Sequence, residues 1–502
     1  MVRDLCGLWS NQAQQQPPRF LKWRTSDAFI CFVVCFAVFT DVFMYGLIVP
    51  VAPTALRDRV GMSDADAYRD SVQSWQSTLL SLYGVSLLAV SPICGYLADK
   101  FQSRWWPFIG GLVVLAAATA LLCVGTNLAL WIVGRLFQGA SAAVVWTVGI
   151  ALLVDTVGQE YLGQALGYLG MAMTIGTMTG PLLGGVVYGA GGYYAVFGMS
   201  FGIIALDVIF RLAMIERKDA LKWLQADGRP IVPAEKQGSG SDLETAVSPA
   251  ASEGLKGPPH DCHEQERSSS SASTDVGSAK KRPSTMHTLL TSGRMMTSMW
   301  AYFILSLALT SFDSVLPLFV EQKFGWGQTG QGLIFIAISV PQILDPVVGY
   351  IIDNYGQTRR YMATGGFLVA VPALACLRFV TENTVGHKVL LCALLVLIGV
   401  CVCLIMSPVL VEATYYVQGR EAETPGIFGE GGAIAFAYGV INMAYAVGTI
   451  IGPFFAGFIK NDAGWSTMSW ALALMSGVTG IPTYICLRGT VRDGASSKVE
   501  SP

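Results

Sequence analysis

The chain has 502 residues, 53% of them apolar and only 13% charged, with a formal net charge of −2. An ordinary soluble domain is about 25% charged, so the composition argues against a soluble enzyme. So small a net charge says little about partners, and nucleic acid is not expected among them.

About 20 apolar residues cross a hydrocarbon core of about 30 Å. Twelve stretches of that kind occur, at 28–53, 74–97, 107–126, 128–154, 164–188, 192–214, 297–320, 328–352, 360–380, 388–411, 432–458 and 465–487. They predict an all-α integral membrane protein. The expected organisation is an N-terminal tail (1–27), a six-helix bundle (28–214), a disordered central loop (215–296), a second six-helix bundle (297–487) and a C-terminal tail (488–502). With both termini in the cytoplasm, 24 Lys and Arg fall on the inner side and 7 on the outer, or 12 and 7 without the central loop. That is the sense of the positive-inside rule.

No cleavable signal is expected. The first apolar stretch is too long for one and begins after Arg19, Lys22 and Arg24. Span one carries Asp41, 13 residues in, which is about 20 Å along a helix axis and near the bilayer midplane. An ionisable residue there is a functional hypothesis by default: either a proton carrier or a carboxylate permanently paired with a basic residue. The loop after span two, GYLADKFQSR, holds Gly95, Asp99, Lys100 and Arg104. Span four carries Arg135 near its outer end, where it could snorkel to the headgroups or tune a carboxylate. Span five holds GTMTGPLLGG, with Gly176, Gly180, Pro181, Gly184 and Gly185. Each Gly in a soluble helix costs about 1 kcal/mol and a Pro about 3, whereas in a membrane small residues let backbones approach closely. Asp207 and Arg211 in span six are spaced as a structural pair.

The central interval contains GSGS at 238–241 and SSSSAS at 268–273, a composition that cannot bury a core. HDCH at 260–263 has no second ligand cluster in that loop, and no metal site is expected. Most of the eleven Cys lie within or at the ends of spans, as Cys31 and Cys35 do, and read as packing rather than disulfides.

In the second half, span seven carries Asp313, and Asp345 lies one turn before the inner end of span eight, within reach of the surface. The following loop, GYIIDNYGQTRR, repeats the first with Gly349, Asp353, Gly356, Arg359 and Arg360. Span eleven carries Asn442 and then GTIIGPFFAG, a copy of the span-five run with Gly448, Gly452, Pro453 and Gly457, and Ala456 where Gly184 stands. Two copies in corresponding places suggest a duplicated bundle of the transporter kind. Span five is expected to be the tighter seal between halves, and span eleven to lean toward substrate. Tyr45, Trp75, Tyr83, Trp146, Tyr168, Tyr438 and Tyr445 could line an amphipathic cavity and offer π faces to a cation, or serve as packing and interfacial belt.

There is no phosphate-cradling G-x-x-x-x-G-K-[ST] loop, and all four His lie outside the spans. A proton carrier within the membrane must therefore be a carboxylate. No nucleophile–base or metal-ligand pattern occurs in the spans, so the chain is read as no enzyme and as needing no cofactor beyond an ion gradient.

These motifs, in this order, resemble the major facilitator superfamily, most closely its drug:proton antiporter and vesicular amine transporter branch in the form common in fungi. The resemblance implies twelve helices in two pseudo-symmetric six-helix bundles, with the two loops holding cytoplasmic helix ends together in the outward-facing state. It implies a part in proton coupling for Arg135, followed by Gln138 and Gly139, and it matches the span-five antiporter signature at every defined position. Gln102 and Ser103 depart from the loop signature, and Asn442 stands where animal vesicular transporters have Asp.

The function expected is proton-coupled export of small amphipathic or cationic compounds, such as drugs or secondary metabolites, by alternating access. Asp41 would bind proton and substrate in competition, Arg135 would tune it, and Asp313 with Asn442 would act from the other half. Loading of a vesicle or vacuole with an amine or polyamine is the alternative, and a non-transporting membrane sensor is the alternative of another class. The expected partners are a small-molecule substrate, protons and the bilayer, for a monomer in the plasma membrane or a vacuolar or vesicular one.

Overall fold

Helices account for nearly all of the residues described in the computed structural model, which are 21–59, 65–100, 103–216, 285–326, 328–355, 357–425, 427–428 and 432–487. They lie in one compact unit within Met1–Ala220 and Ser284–Pro502. Both expected tails (apart from 21–27 at the N-terminal end), most of the central loop with its HDCH sequence, Gln102 and Gly356 lie outside the described residues.

The long helices are α1 (Asp27–Asp58), α2 (Ala65–Lys100), α3 (Trp105–Val124), α4 (Leu128–Val157), the pair α5 and α6 (Leu162–Ala213), α7 (Gly293–Phe324), α8 (Gly332–Asn354), α9 (Thr358–Phe379), α10 (Val385–Glu423) and the pair α11 and α12 (Ile434–Cys486). Among the described residues, ten helical runs are long and apolar enough to cross a membrane. Two of the runs divide at a glycine, Gly192 with φ +74° and Gly464 with φ +83°. Those angles suit a residue without Cβ, and the divisions bring the count to twelve. Short helices Leu21–Arg24 and Thr285–Leu290 precede α1 and α7.

Local chemistry sets several boundaries. Ser26 Oγ accepts the Phe29 N–H at 3.2 Å at the start of α1, and Asn127 Oδ1 accepts that of Leu130 at 2.9 Å at the start of α4, each satisfying an orphan donor of the first turn. Within α4, Val145–Gly149 forms a π turn. Within α8, a 3₁₀ turn at Val340–Leu344 contains Pro341 and is followed by Pro346, and neither proline can donate to the helix ladder. The expected outer loop 54–73 is largely helix, since α1 runs to Asp58 and α2 starts at Ala65. Hydropathy missed these turns because ADAYRDSVQS is polar, yet mostly of residues that tolerate a helix.

The glycine runs pack within each half. A Cβ at Gly180 would stand 2.7 Å from Phe43 O, and one at Gly184 2.8 Å from Leu47 O, so α5 lies backbone to backbone on α1. In the second half, Gly448 faces Phe303 O at 2.6 Å and Gly452 faces Leu307 O at 2.7 Å, so α11 lies the same way on α7. The expectation that the span-five run seals one half to the other is therefore corrected: it seals α5 to α1. The halves meet elsewhere, chiefly along α2–α11 and α5–α8.

Candidate functional site

Between the halves lies a cavity of about 120 Å³. Tyr45 of α1, Tyr83 of α2, Trp146 of α4 and Thr174 of α5 wall it from one side, and Asp313 of α7, Gln342 of α8, and Asn442 and Tyr445 of α11 from the other. The Asp313 side chain opens onto this space, with no cation or hydrogen-bond donor on its carboxylate among the described residues. Asn442 borders the same space while its Nδ2 donates to Ser91 Oγ at 2.8 Å. Two expected cavity residues are placed differently. Tyr168 is 39% exposed on α5 and accepts from Gln164 Nε2 at 3.4 Å. Tyr438 is buried in the second half, its hydroxyl 2.7 Å from Thr414 Oγ1.

Asp41 is 0% exposed and does not border the cavity. Its Oδ2 accepts the Tyr83 hydroxyl at 3.2 Å and the Trp146 Nε1–H at 3.3 Å, and its Oδ1 has no donor among the described residues. The π turn of α4 presents Trp146 to this carboxyl, and such turns recur at functional sites. Arg135 is equally buried rather than snorkelling. Its Nε donates to Leu79 O at 3.1 Å and its Nη1 to Gln138 Oε1 at 2.7 Å. No ion pair joins Arg135 to Asp41. They communicate through aromatic rings: the guanidinium faces Tyr45 at 5.1 Å and Tyr83 at 5.5 Å, and Tyr83 is the donor to Asp41.

One end of the cavity is closed by two matching latches. Asp99 of α2 accepts the N–H groups of Ala435 and Phe436 at 3.1 and 2.8 Å, at the start of α11. Asp353 of α8 accepts those of Gly163 and Gln164 at 2.7 and 2.8 Å, at the start of α5. A carboxylate at a helix N-terminus meets both orphan donors and the positive end of the dipole. The backbones touch because Gly95 and Gly349 lack side chains: a Cβ at Gly95 would stand 2.6 Å from Ala435 O, and one at Gly349 would overlap Gly163 O.

Each latch is backed by an Arg. Arg104 pairs with Asp99 at 3.1 Å and with Asp155 of α4 at 3.3 Å, and Arg359 pairs with Glu412 of α10 at 3.4 Å. Glu412 also takes Arg294 Nε at 2.7 Å, and Glu216 accepts the Arg104 N–H at 2.9 Å and the Ser103 hydroxyl at 2.8 Å. Lys100 lies apart on the surface over the Tyr96 ring, and Arg360 lies over Tyr484. Asp155, Glu216 and Glu412 match no motif in the sequence, and their one signal there is a lone acid near the end of an apolar run. Asp345, expected to reach the surface, is instead fully buried between α8 and α5.

Twelve membrane-length helices in two like halves about a shared cavity define a polytopic transporter. The model for the Major Facilitator Superfamily matches residues 34–429 and 299–501, and the chain belongs to that family. It is 34% identical to an uncharacterized MFS-type transporter of Schizosaccharomyces pombe, over 91% of this chain and 95% of the relative. It is 22% identical to the vesicular acetylcholine transporter of Drosophila melanogaster, over 91% of this chain and 71% of the relative. Its fold is similar to that of the crystal structure of the human organic anion transporter MFSD10, with a TM-score of 0.61 at 15% identity, covering 93% of this chain and all of the other. The family consists of transporters that carry small molecules and perform no enzymatic reaction.

Proposed function

We propose that this chain is a proton-coupled antiporter that exports small organic compounds by alternating access between its two halves. The observation that carries the reading is the pair of carboxylates at the central cavity, one enclosed (Asp41) and one open (Asp313). Asp313 supplies a negative charge and Tyr45, Tyr83, Trp146 and Tyr445 supply aromatic faces, a combination suited to an amphipathic cation. Asp41 is the proton carrier, and Tyr83 and Trp146 stand between it and the cargo. Competition between proton and substrate therefore runs through these two rings rather than by direct contact with Asp41. Arg135 acts on Asp41 through Tyr83, and Asn442 contributes a polar contact from the second half.

A cavity of about 120 Å³ is below the roughly 300 Å³ minimum of small-molecule sites, so the halves must part to admit cargo. We place the latched end at the cytoplasm with both termini, following the excess of Lys and Arg on that side. The protein then works as a monomer in the plasma membrane, with the proton gradient as its energy source. Two pH units supply about 2.7 kcal/mol per proton and 100 mV about 2.3. Together they sustain a gradient of roughly three to four decades, or about two for one-to-one exchange against a monovalent cation.

Proteoliposomes loaded with a lipophilic cation test this reading. An imposed pH gradient should drive efflux in the wild type and not in Asp41→Asn, while Asp313→Asn should raise the KM for the cation. Equal transport by wild type and Asp41→Asn would sink the proton-carrier assignment. The likeness to a vesicular acetylcholine transporter supports a second reading, the loading of an acidic compartment with an amine. A tagged protein resident on internal acidic membranes would favour it over export.

A further inference from the structure

The contact between the halves is built twice, and the two copies differ at one pair of facing positions. On α2 and α11, Ser91 lies four residues before Gly95 and Asn442 six before Gly448. Their side chains bond across the interface, Asn442 Nδ2 to Ser91 Oγ at 2.8 Å. On α8 and α5 the corresponding residues are Asp345, four before Gly349, and Gly170, six before Gly176. A Cβ at Gly170 would overlap Asp345 Oδ2, so the carboxyl occupies the space that a side chain on α5 would fill.

Asp345 is 0% exposed, and no N–H or O–H donor reaches either of its oxygens among the described residues. From α10 the Cys403 thiol comes beside it, the one titratable group acting on it among the described residues. From α5 it meets Gly167 and Gly170. One turn toward the cavity, Thr174 Oγ1 lies 3.3 Å from Gln342 Oε1. The acids farther along the packed helices are committed: Asp353 to the α5 N-terminus, Glu412 to Arg294 and Arg359.

We propose that Asp345 is a proton-binding site of the interface itself, protonated while α5 and α8 touch and ionised once the halves part and water reaches it. A carboxylate enclosed without a cation carries a large desolvation penalty. The proton removes it, and separation of the helices removes it equally well. Closing this end therefore takes up one proton on α8–α5, whereas the Ser91–Asn442 contact takes up none. Acid holds the latch shut and alkali releases it, by about tenfold in the closed-to-open ratio per pH unit while the group titrates. The inference rests on the proposed separation of the halves at this end, but not on Asp41 or on the identity of the cargo.

Hydrogen exchange of the full chain in lipid nanodiscs, without substrate or gradient, tests it. Amide protection at the start of α5 is compared at acid and alkaline pH after correction for intrinsic exchange. The wild type should lose about tenfold in protection per pH unit across the transition. Asp345→Asn should lose this tenfold response. Asp345→Ser combined with Gly170→Asn, which copies the Ser91–Asn442 contact, should do so too. A wild type indifferent to pH, or an Asp345→Asn variant with the wild-type response, would overturn the assignment. Because no substrate moves, either result leaves the Asp41 proton-carrier reading to its own transport assay.

Discussion

Asn442 and Ser91 are 351 positions apart in the chain, yet Asn442 Nδ2 donates to Ser91 Oγ at 2.8 Å and joins α11 to α2 across the two halves. The same amide borders the central cavity, so one side chain serves both the closed interface and the cargo space. A neutral hydrogen bond contributes about 0.5–1.5 kcal/mol net. Ser91→Ala, which leaves the cavity wall intact, should therefore lower the closed-to-open ratio by about two- to tenfold. Single-molecule distances between the latched ends of α2 and α11 would read the shift. An unchanged ratio would mean that the bond is lost and replaced by water at no cost.

The latches at Asp99 and Asp353 are alike in the pair of helix N–H groups that each accepts, and they differ in that Arg104 pairs with Asp99 itself whereas Arg359 pairs with Glu412. Asn at either position keeps the shape but loses the charge that complements a helix dipole, and it offers one acceptor oxygen where two carboxylate oxygens each took an N–H, a cost of about 1 kcal/mol or more. Asp99→Asn and Asp353→Asn should each shift the closed-to-open ratio at least about fivefold, and the double variant by the product of the two. A double variant no worse than either single would show that the halves do not separate as rigid bodies.

What could be read in the sequence and what could not follows from the solvent. Charges stand out in apolar runs, so Asp41, Arg135 and Asp313 were found at once. Their surroundings were not, because a helix between lipid and protein is apolar on all sides and its pattern does not say which face looks inward. Tyr168 and Tyr45 are equally plausible as cavity residues on that basis, yet the first faces outward and the second lines the cavity. The glycine runs signalled close packing correctly, but composition carries no partner label, and α1 rather than the other half proved to be the partner. Asp345 was misplaced for a related reason: distance from the end of an apolar run says nothing of a neighbouring helix that covers it.

The Asp207–Arg211 pair on α6 is a stability element. Arg211 Nη2 lies 2.8 Å from Asp207 Oδ2, its Nη1 donates to Phe108 O, and its guanidinium lies 3.9 Å from the centre of the Phe108 ring, all of it buried. Removing one partner of a buried pair leaves an uncompensated charge, at a cost of about 3–5 kcal/mol, whereas replacing both with apolar residues is often neutral. Asp207→Leu should lower the thermal midpoint in detergent sharply, and Asp207→Leu with Arg211→Met should restore most of it. Equal losses in the single and double variants would show that Arg211 matters through its contact with α3 instead.

Within the span-five run, position decides tolerance. Gly180 and Gly184 lie on the α1 backbone, where a Cβ would stand 2.7 Å from Phe43 O and 2.8 Å from Leu47 O, while Gly185, one residue on, is exposed with nothing within 4 Å. Val at Gly180 or Gly184 must push α5 from α1, moving Phe43 and its neighbour Asp41 relative to Tyr83 and Trp146. Insertion depends on hydropathy, which Val improves, so the protein should reach the membrane at its normal level. Transport should fall to background for Gly180→Val and Gly184→Val and stay near wild type for Gly185→Val. Vesicle uptake normalised to surface protein measures all three. Loss of transport in Gly185→Val as well would mean that the run acts through its own flexibility rather than through its seat on α1.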